Sequence, residues 1–190
     1  MAQNSKIEWT HHTANLWHGC TKVHVGCNNC YAEKLSHRWG NDVWGNDKPR
    51  KEIKSFWSDL DKYQKIAEQN NEIHRVFIGS MMDIFEKTMV MVDSKGVENS
   101  DAMTGNIRFK LLMRIEKRNY PNLMFLFLTK RPSNITGCVE HILSEKSQNN
   151  LMFGTSISTQ EHAQRLINML VKVNGKRFLS IEPQLMRITG

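Results

Sequence analysis

The run Leu123-Met124-Phe125-Leu126-Phe127-Leu128-Thr129 constrains the fold more than any other stretch of the chain. It is apolar without alternation until Thr129, and so predicts a strand buried on both faces, as in a parallel sheet rather than a half-wetted antiparallel one. Arg75-Val76-Phe77-Ile78-Gly79-Ser80, Leu151-Met152-Phe153-Gly154-Thr155-Ser156 and Arg177-Phe178-Leu179-Ser180-Ile181-Glu182-Pro183 read as further strands. Helical patterns lie between them. One covers about 104–119, with Ile107, Leu111, Leu112 and Ile115 on its apolar face. A second runs from Ser133 to about Lys146. A third opens at the capping box Ser158-Thr159-Gln160-Glu161 and carries Leu166, Ile167 and Leu170. Strand and helix in alternation predict an α/β fold of parallel βα units, with helices outside and one domain over residues 1–190.

Each predicted strand ends in polar residues: Ser80 and Asp83, Thr129 with Lys130 and Arg131, Thr155 and Ser156, and Glu182. In a parallel barrel those ends share one rim, where βα barrels place their chemistry. The plainer alternative is that polar residues mark where strands stop.

Three of the four cysteines, Cys20, Cys27 and Cys30, fall within one short stretch. Cys27 and Cys30 can aim two sulfurs at one metal centre, and the loop through Gly26 folds Cys20 back toward them. From Cys30 the chain turns helical, with Tyr31, Leu35 and Trp39 at spacings of four and Gly40 as a stop. Thiolates there gain from the exposed N–H groups of a helix N-terminus. Three thiolates leave a closed zinc or iron–sulfur site one ligand short. The fourth position falls to a histidine, a distant residue or a substrate. A zinc site in a nucleic-acid-associated protein would close with His37, His24 or His18. Cys138, on the predicted helix after Ser133, reads as a small packing residue.

A net charge of +7 and a pI near 9.3 favour an anionic partner. Residues 40–57 read as a loop that interleaves Lys48, Arg50, Lys51 and Lys54 with Trp44, Phe56 and Trp57. Such a loop can grip single-stranded nucleic acid by phosphate pairing and base stacking, or can be a surface loop pinned by buried tryptophans. Residues 7–18 read as a short strand entering the cysteine loop, 58–70 as a helix capped by Ser58, and 88–106 as a loop. No apolar run reaches membrane-spanning length and no signal-peptide block follows Met1, so the expected location is the cytoplasm.

The set Glu8-Trp9-Thr10, Gly19-Cys20-Thr21-Lys22-Val23, Gly26-Cys27, Cys30-Tyr31-Ala32-Glu33, Leu128-Thr129-Lys130-Arg131-Pro132 and Ser180-Ile181-Glu182-Pro183 resembles the phage gp-thirty-seven/gp-sixty-eight family. That family is similar to a divergent branch of the radical S-adenosylmethionine enzymes. The resemblance implies a partial parallel (βα) barrel lacking the last strand, and a [4Fe-4S] cluster held by Cys20, Cys27 and Cys30. S-adenosylmethionine would chelate the fourth iron and be cleaved reductively with an electron donor. It places Ser80 and Asp83 against S-adenosylmethionine, and Thr129, Lys130, Thr155, Ser156 and Glu182 on the cofactor and substrate rim. A nucleotide or nucleic-acid substrate and a host-cell cytoplasmic setting would follow. Two features depart from the usual pattern of those enzymes: six residues, not three, separate Cys20 from Cys27, and Asn29 stands where an aromatic precedes the third cysteine.

Overall fold

The computed structural model describes residues 2–3 and 5–189. The strands are β1 (Ala2–Gln3), β2 (His12–Ala14), β3 (Trp17–His18), β4 (Arg50–Glu52), β5 (His74–Ile78), β6 (Val90–Val92), β7 (Glu98–Met103), β8 (Leu123–Thr129), β9 (Leu151–Ser156) and β10 (Lys176–Ser180). The helices are α1 (Tyr31–Arg38), α2 (Phe56–Gln69), α3 (Thr104–Glu116), α4 (Ile135–Val139), α5 (Glu145–Gln148) and α6 (Gln160–Leu170). Among the described residues no helix is long and apolar enough to cross a membrane.

The main sheet has the order β1-β2-β5-β8-β9-β10. β1 is antiparallel to β2, and the other five strands are parallel with neighbours following chain order. The register aligns Ala14 with Ile78, Ile78 with Phe127, and Phe127 with Phe153. Alternation along the strands sends Val76, Ile78, Phe125, Phe127 and Phe153 into one core with Leu60 of α2, Leu111 and Leu112 of α3, Ile135 of α4 and Leu170 of α6. The intervening residues Phe77 and Leu128 face the other way, into a cavity. The long apolar run of β8 is thus covered by helices on one face, while Leu128 on the other lines the cavity.

A second sheet, β3-β4-β6-β7, stands beside the first. Its strands β6 and β7 replace the loop expected over 88–106, because Val90, Met91 and Val92 pair across a turn at Gly96 that polar composition concealed. The helix expected from Ser133 to Lys146 is broken: a 3-10 turn at Pro132–Asn134 precedes the five-residue α4, and α5 follows separately. Gly137 inside α4 and the short apolar pattern give no continuous helix. α2 starts earlier than expected, with Ser55 rather than Ser58 at its N-cap. For α6 the cap is Thr159, whose hydroxyl accepts from the His162 N–H, one residue beyond the expected Ser158. The last strand ends at Ser180, so Ile181, Glu182 and Pro183 lie past it. Cys138 is partly buried against the core.

At the opposite end of the sheet from the polar strand ends, three imidazoles cluster. His12 Nε2 meets His74 Nδ1 at 3.0 Å, and His74 Nε2 meets Glu72 Oε2 at 3.1 Å. The His12 ring stacks on Tyr63 at 4.0 Å, and His11 stacks on His74 at 4.7 Å. Burial, then His74, then His11 hold His12 down to about 4 from an ordinary value of 6.5. Between pH 6.5 and about 4 the unfolded chain therefore takes up a proton at His12 that the folded chain refuses. Stability is expected to be unaffected by this group above pH 6.5, to fall as pH drops through that window, and to level off below it. Melting temperatures at pH 7, 5.5 and 4.5 check this; a midpoint unchanged between pH 7 and 4.5 would sink it.

Candidate functional site

The loop carrying the cysteines leaves β3 at Gly19, whose φ of +113° suits glycine, and a Cβ there would strike the Val43 carbonyl and Arg50 Cδ. Val25–Cys27 forms a 3-10 turn capped by His24, whose Nδ1 accepts from the Gly26 N–H at 3.1 Å. A side chain on Gly26 would collide with Ser158 Oγ, so the loop lies directly against the entry to α6. Cys30 is the N-cap of α1, with no side-chain cap bond.

Because Gly26 donates to Nδ1, neutral His24 carries its proton on Nε2. That atom, Ser158 Oγ and His162 Nδ1 are buried with no hydrogen-bond partner among the described residues. The His24 and His162 rings pack 4.1 Å apart. Burial first, then the neighbouring His162, holds His24 down to about 4. His24 is therefore a neutral brace between the loop and α6.

All four cysteines are free thiols. Cys20, Cys27 and Cys30 line one cavity of about 580 Å³ at the C-terminal ends of β5, β8 and β9. Of the rim residues expected from sequence, Ser80, Asp83, Thr129, Lys130, Ser156 and Glu182 line the same cavity. Thr155 does not: it is fully buried, and its hydroxyl donates to the Thr129 carbonyl at 2.9 Å. The cavity's apolar side is built by Ile7, Trp9 and Phe77, with the Trp9 and Phe77 rings 4.8 Å apart.

The rim residues divide by what they already hold. Asp83 accepts from the Thr129 hydroxyl (2.7 Å), the Phe85 N–H (3.0 Å), the Lys130 N–H (3.0 Å) and Arg131 Nη1 (2.8 Å), so its carboxylate is engaged by protein. Ser80 Oγ accepts from Asn15 Nδ2, and its carbonyl accepts from the Tyr31 hydroxyl. No ion-pair partner is found for Lys130 or Glu182 among the described residues, which leaves one cation and one anion on the cavity wall.

Beneath Cys20 lies a buried ionic network that sequence reading missed. Arg50 and Glu86 are both almost fully buried and form a forked pair at 2.6 and 2.9 Å. Arg50 also donates to the carbonyls of Val43, Gly45 and Lys48 and to Thr21 Oγ1. Arg131 joins Asp83 to the loop by donating to the Thr21 carbonyl at 2.6 Å and to Cys20 Sγ at 3.7 Å. Burial, then Asp83 and Glu86, push the Cys20 thiol up to about 12, against the opposing pull of Arg131. The only sequence signal was Arg131 inside the Thr129-Lys130-Arg131-Pro132 stretch and an isolated Glu86 after an apolar run.

The structure bears on both readings of residues 40–57, a stretch expected as a loop that contains β4 and the start of α2. Arg50 is fully buried and cannot meet a phosphate, Lys48 pairs with Asp42 at 2.6 Å, and Lys51 donates to Asn41 at 2.7 Å. Lys110 and Arg114 of α3 lie over the Trp57 ring, at 5.0 and 4.6 Å from its centroid. Among the described residues, only Arg50 of this stretch's cations reaches the cysteine loop, at Thr21.

Arg131 stands beside Cys20, and Lys22, paired with Glu33 at 2.8 Å, lines the same cavity as Cys27 and Cys30. This donor set fits an anionic metal–sulfur group. Among the described residues no three His, Cys, Asp or Glu side chains converge on one ion, whereas a cubane is held by thiolates on separate irons.

Residues 4–190 match the family described as Protein of unknown function (DUF5131), and the chain belongs to that family. Comparison with curated proteins and with solved structures returned no match.

Proposed function

We propose that this chain is a radical S-adenosylmethionine-like enzyme built on a partial parallel (βα) barrel that lacks the last strand. Cys20, Cys27 and Cys30 would hold three irons of a [4Fe-4S] cluster and leave the fourth open. When bound and reduced by an electron donor, the cluster supplies the electron that cleaves S-adenosylmethionine, so that the substrate loses a hydrogen atom. The observation that carries this reading is the meeting of three free thiols and six rim residues in one cavity. Parallel strands in chain order, with helices on one face and the cavity on the other, support it.

The chain's own residues divide the work. Ile7, Trp9 and Phe77 exclude water from one side of the cavity, and Lys130 and Glu182 offer opposite charges to a zwitterionic ligand. A cavity of about 580 Å³ suits a cofactor of that size. The net charge of +7 supports an anionic substrate such as a nucleotide or nucleic acid.

Anaerobic reconstitution with iron and sulfide, followed by S-adenosylmethionine and dithionite, tests the reading. A brown protein that releases 5'-deoxyadenosine is the expected result. A colourless protein with stoichiometric zinc overturns it in favour of a structural zinc site.

A further inference from the structure

The Arg131 guanidinium lies between a sulfur and a carboxylate. Its Nη1 is 3.7 Å from Cys20 Sγ and 2.8 Å from Asp83 Oδ2, while Nη2 holds the Thr21 carbonyl at 2.6 Å. Asp83 and Arg131 are both largely shielded from solvent. Charges this close and this poorly solvated act on one another far more strongly than surface charges do. Glu86 Oε2 stands 4.0 Å from Arg131 Nη2, but its own partner is Arg50. Arg131 is thus the charged group in hydrogen-bond contact with Cys20, and Asp83 is its counter-anion.

We propose that Arg131 and Asp83 act as an opposed charge pair that sets the reduction potential of the metal group held at Cys20. This rests on the cluster reading above. Reduction adds one electron, taken from an external donor, and makes or breaks no bond. The guanidinium stabilises the added negative charge and donates to a ligating sulfur, both of which raise the potential. The Asp83 carboxylate works in the opposite direction. Arg131 is a positioning residue as well, since it ties the loop to the end of β8, and the two roles differ in sign. Arg131→Gln and Asp83→Asn break the same ion pair, so a purely structural role moves both variants alike. An electrostatic role moves them apart.

The experiment is mediated spectroelectrochemistry on the anaerobically reconstituted full chain, with iron and sulfide counted in each sample. Wild type is compared with Arg131→Gln, Arg131→Lys and Asp83→Asn. The expected result is a more negative midpoint for Arg131→Gln, a less negative one for Asp83→Asn, and a value nearer wild type for Arg131→Lys, which keeps the charge but not the fork. Shifts of the same sign, unchanged midpoints, or loss of iron from both charge-removing variants while wild type keeps it overturn the proposal alone. A wild-type protein that gathers no iron overturns the cluster reading, and this inference with it.

Discussion

Replacing any one of Cys20, Cys27 and Cys30 by Ala is expected to abolish iron retention after anaerobic reconstitution, while Cys138→Ala leaves it intact. The trio shares one cavity, whereas Cys138 sits on α4, packed against the core. Two remaining thiolates cannot hold a cubane against loss to solvent, and no fourth thiol lines the cavity to replace the missing one. Cys30→Ser separates metal loss from misfolding. Cys30 is the N-cap of α1 and makes no side-chain cap bond, and serine is a favoured N-cap residue. The Cys30→Ser protein is therefore expected to melt at or slightly above the metal-free wild type, by a gain of up to about 1 kcal/mol, and still bind no iron. Iron analysis and melting on the same preparations check both halves. Iron retained by Cys30→Ser, or lost from Cys138→Ala, would contradict the assignment of ligands.

The second large effect is on stability. Glu86→Gln leaves Arg50 fully buried with its carbonyl acceptors but without its counter-charge. Removing one partner of a buried pair costs roughly 3–5 kcal/mol. The three carbonyls and Thr21 Oγ1 still held by Arg50 put this case near the lower end. For a chain of this length, about 3 kcal/mol lowers the melting temperature by roughly 6–12 °C. The half-exposed pair Arg114–Asp61, at 3.9 Å, is the internal control. Asp61→Asn is expected to change stability by no more than about 1 kcal/mol. Equal losses from Glu86→Gln and Asp61→Asn would show that the buried network does not hold the loop.

What could be read in the sequence were the features with a short period or a short spacing. The apolar run at β8, the strand ends around it and the cysteine trio announce themselves within a few residues. The helix from Cys30 was legible as well, although the face marked by its spacing of four, with Tyr31 and Trp39, is largely exposed and Ala32 and Ser36 form the buried side. The second sheet was not, since β6 is only three residues long, β7 is mostly polar, and β6 also pairs with β4, far earlier in the chain. Arg50 misled for a related reason. In sequence it is one cation of a basic run, and only the fold brings Glu86 to it across 36 residues. Thr155 shows the limit of reading by strand end: its side chain points at the neighbouring strand's carbonyl, not the cavity.

The bond from Arg131 to the Thr21 carbonyl spans 110 residues. Contacts that distant require closing a long loop, which makes them late events in folding compared with the local turns around Cys27 and Cys30. A nascent chain with only the cysteine segment emerged has its thiols but neither the guanidinium nor the sheet end that seats them. If the trio holds a cluster as proposed, metal is expected to enter only after β8 has joined the sheet. Under that proposal the cluster would enter a chain already folded as far as β8, not a bare cysteine segment.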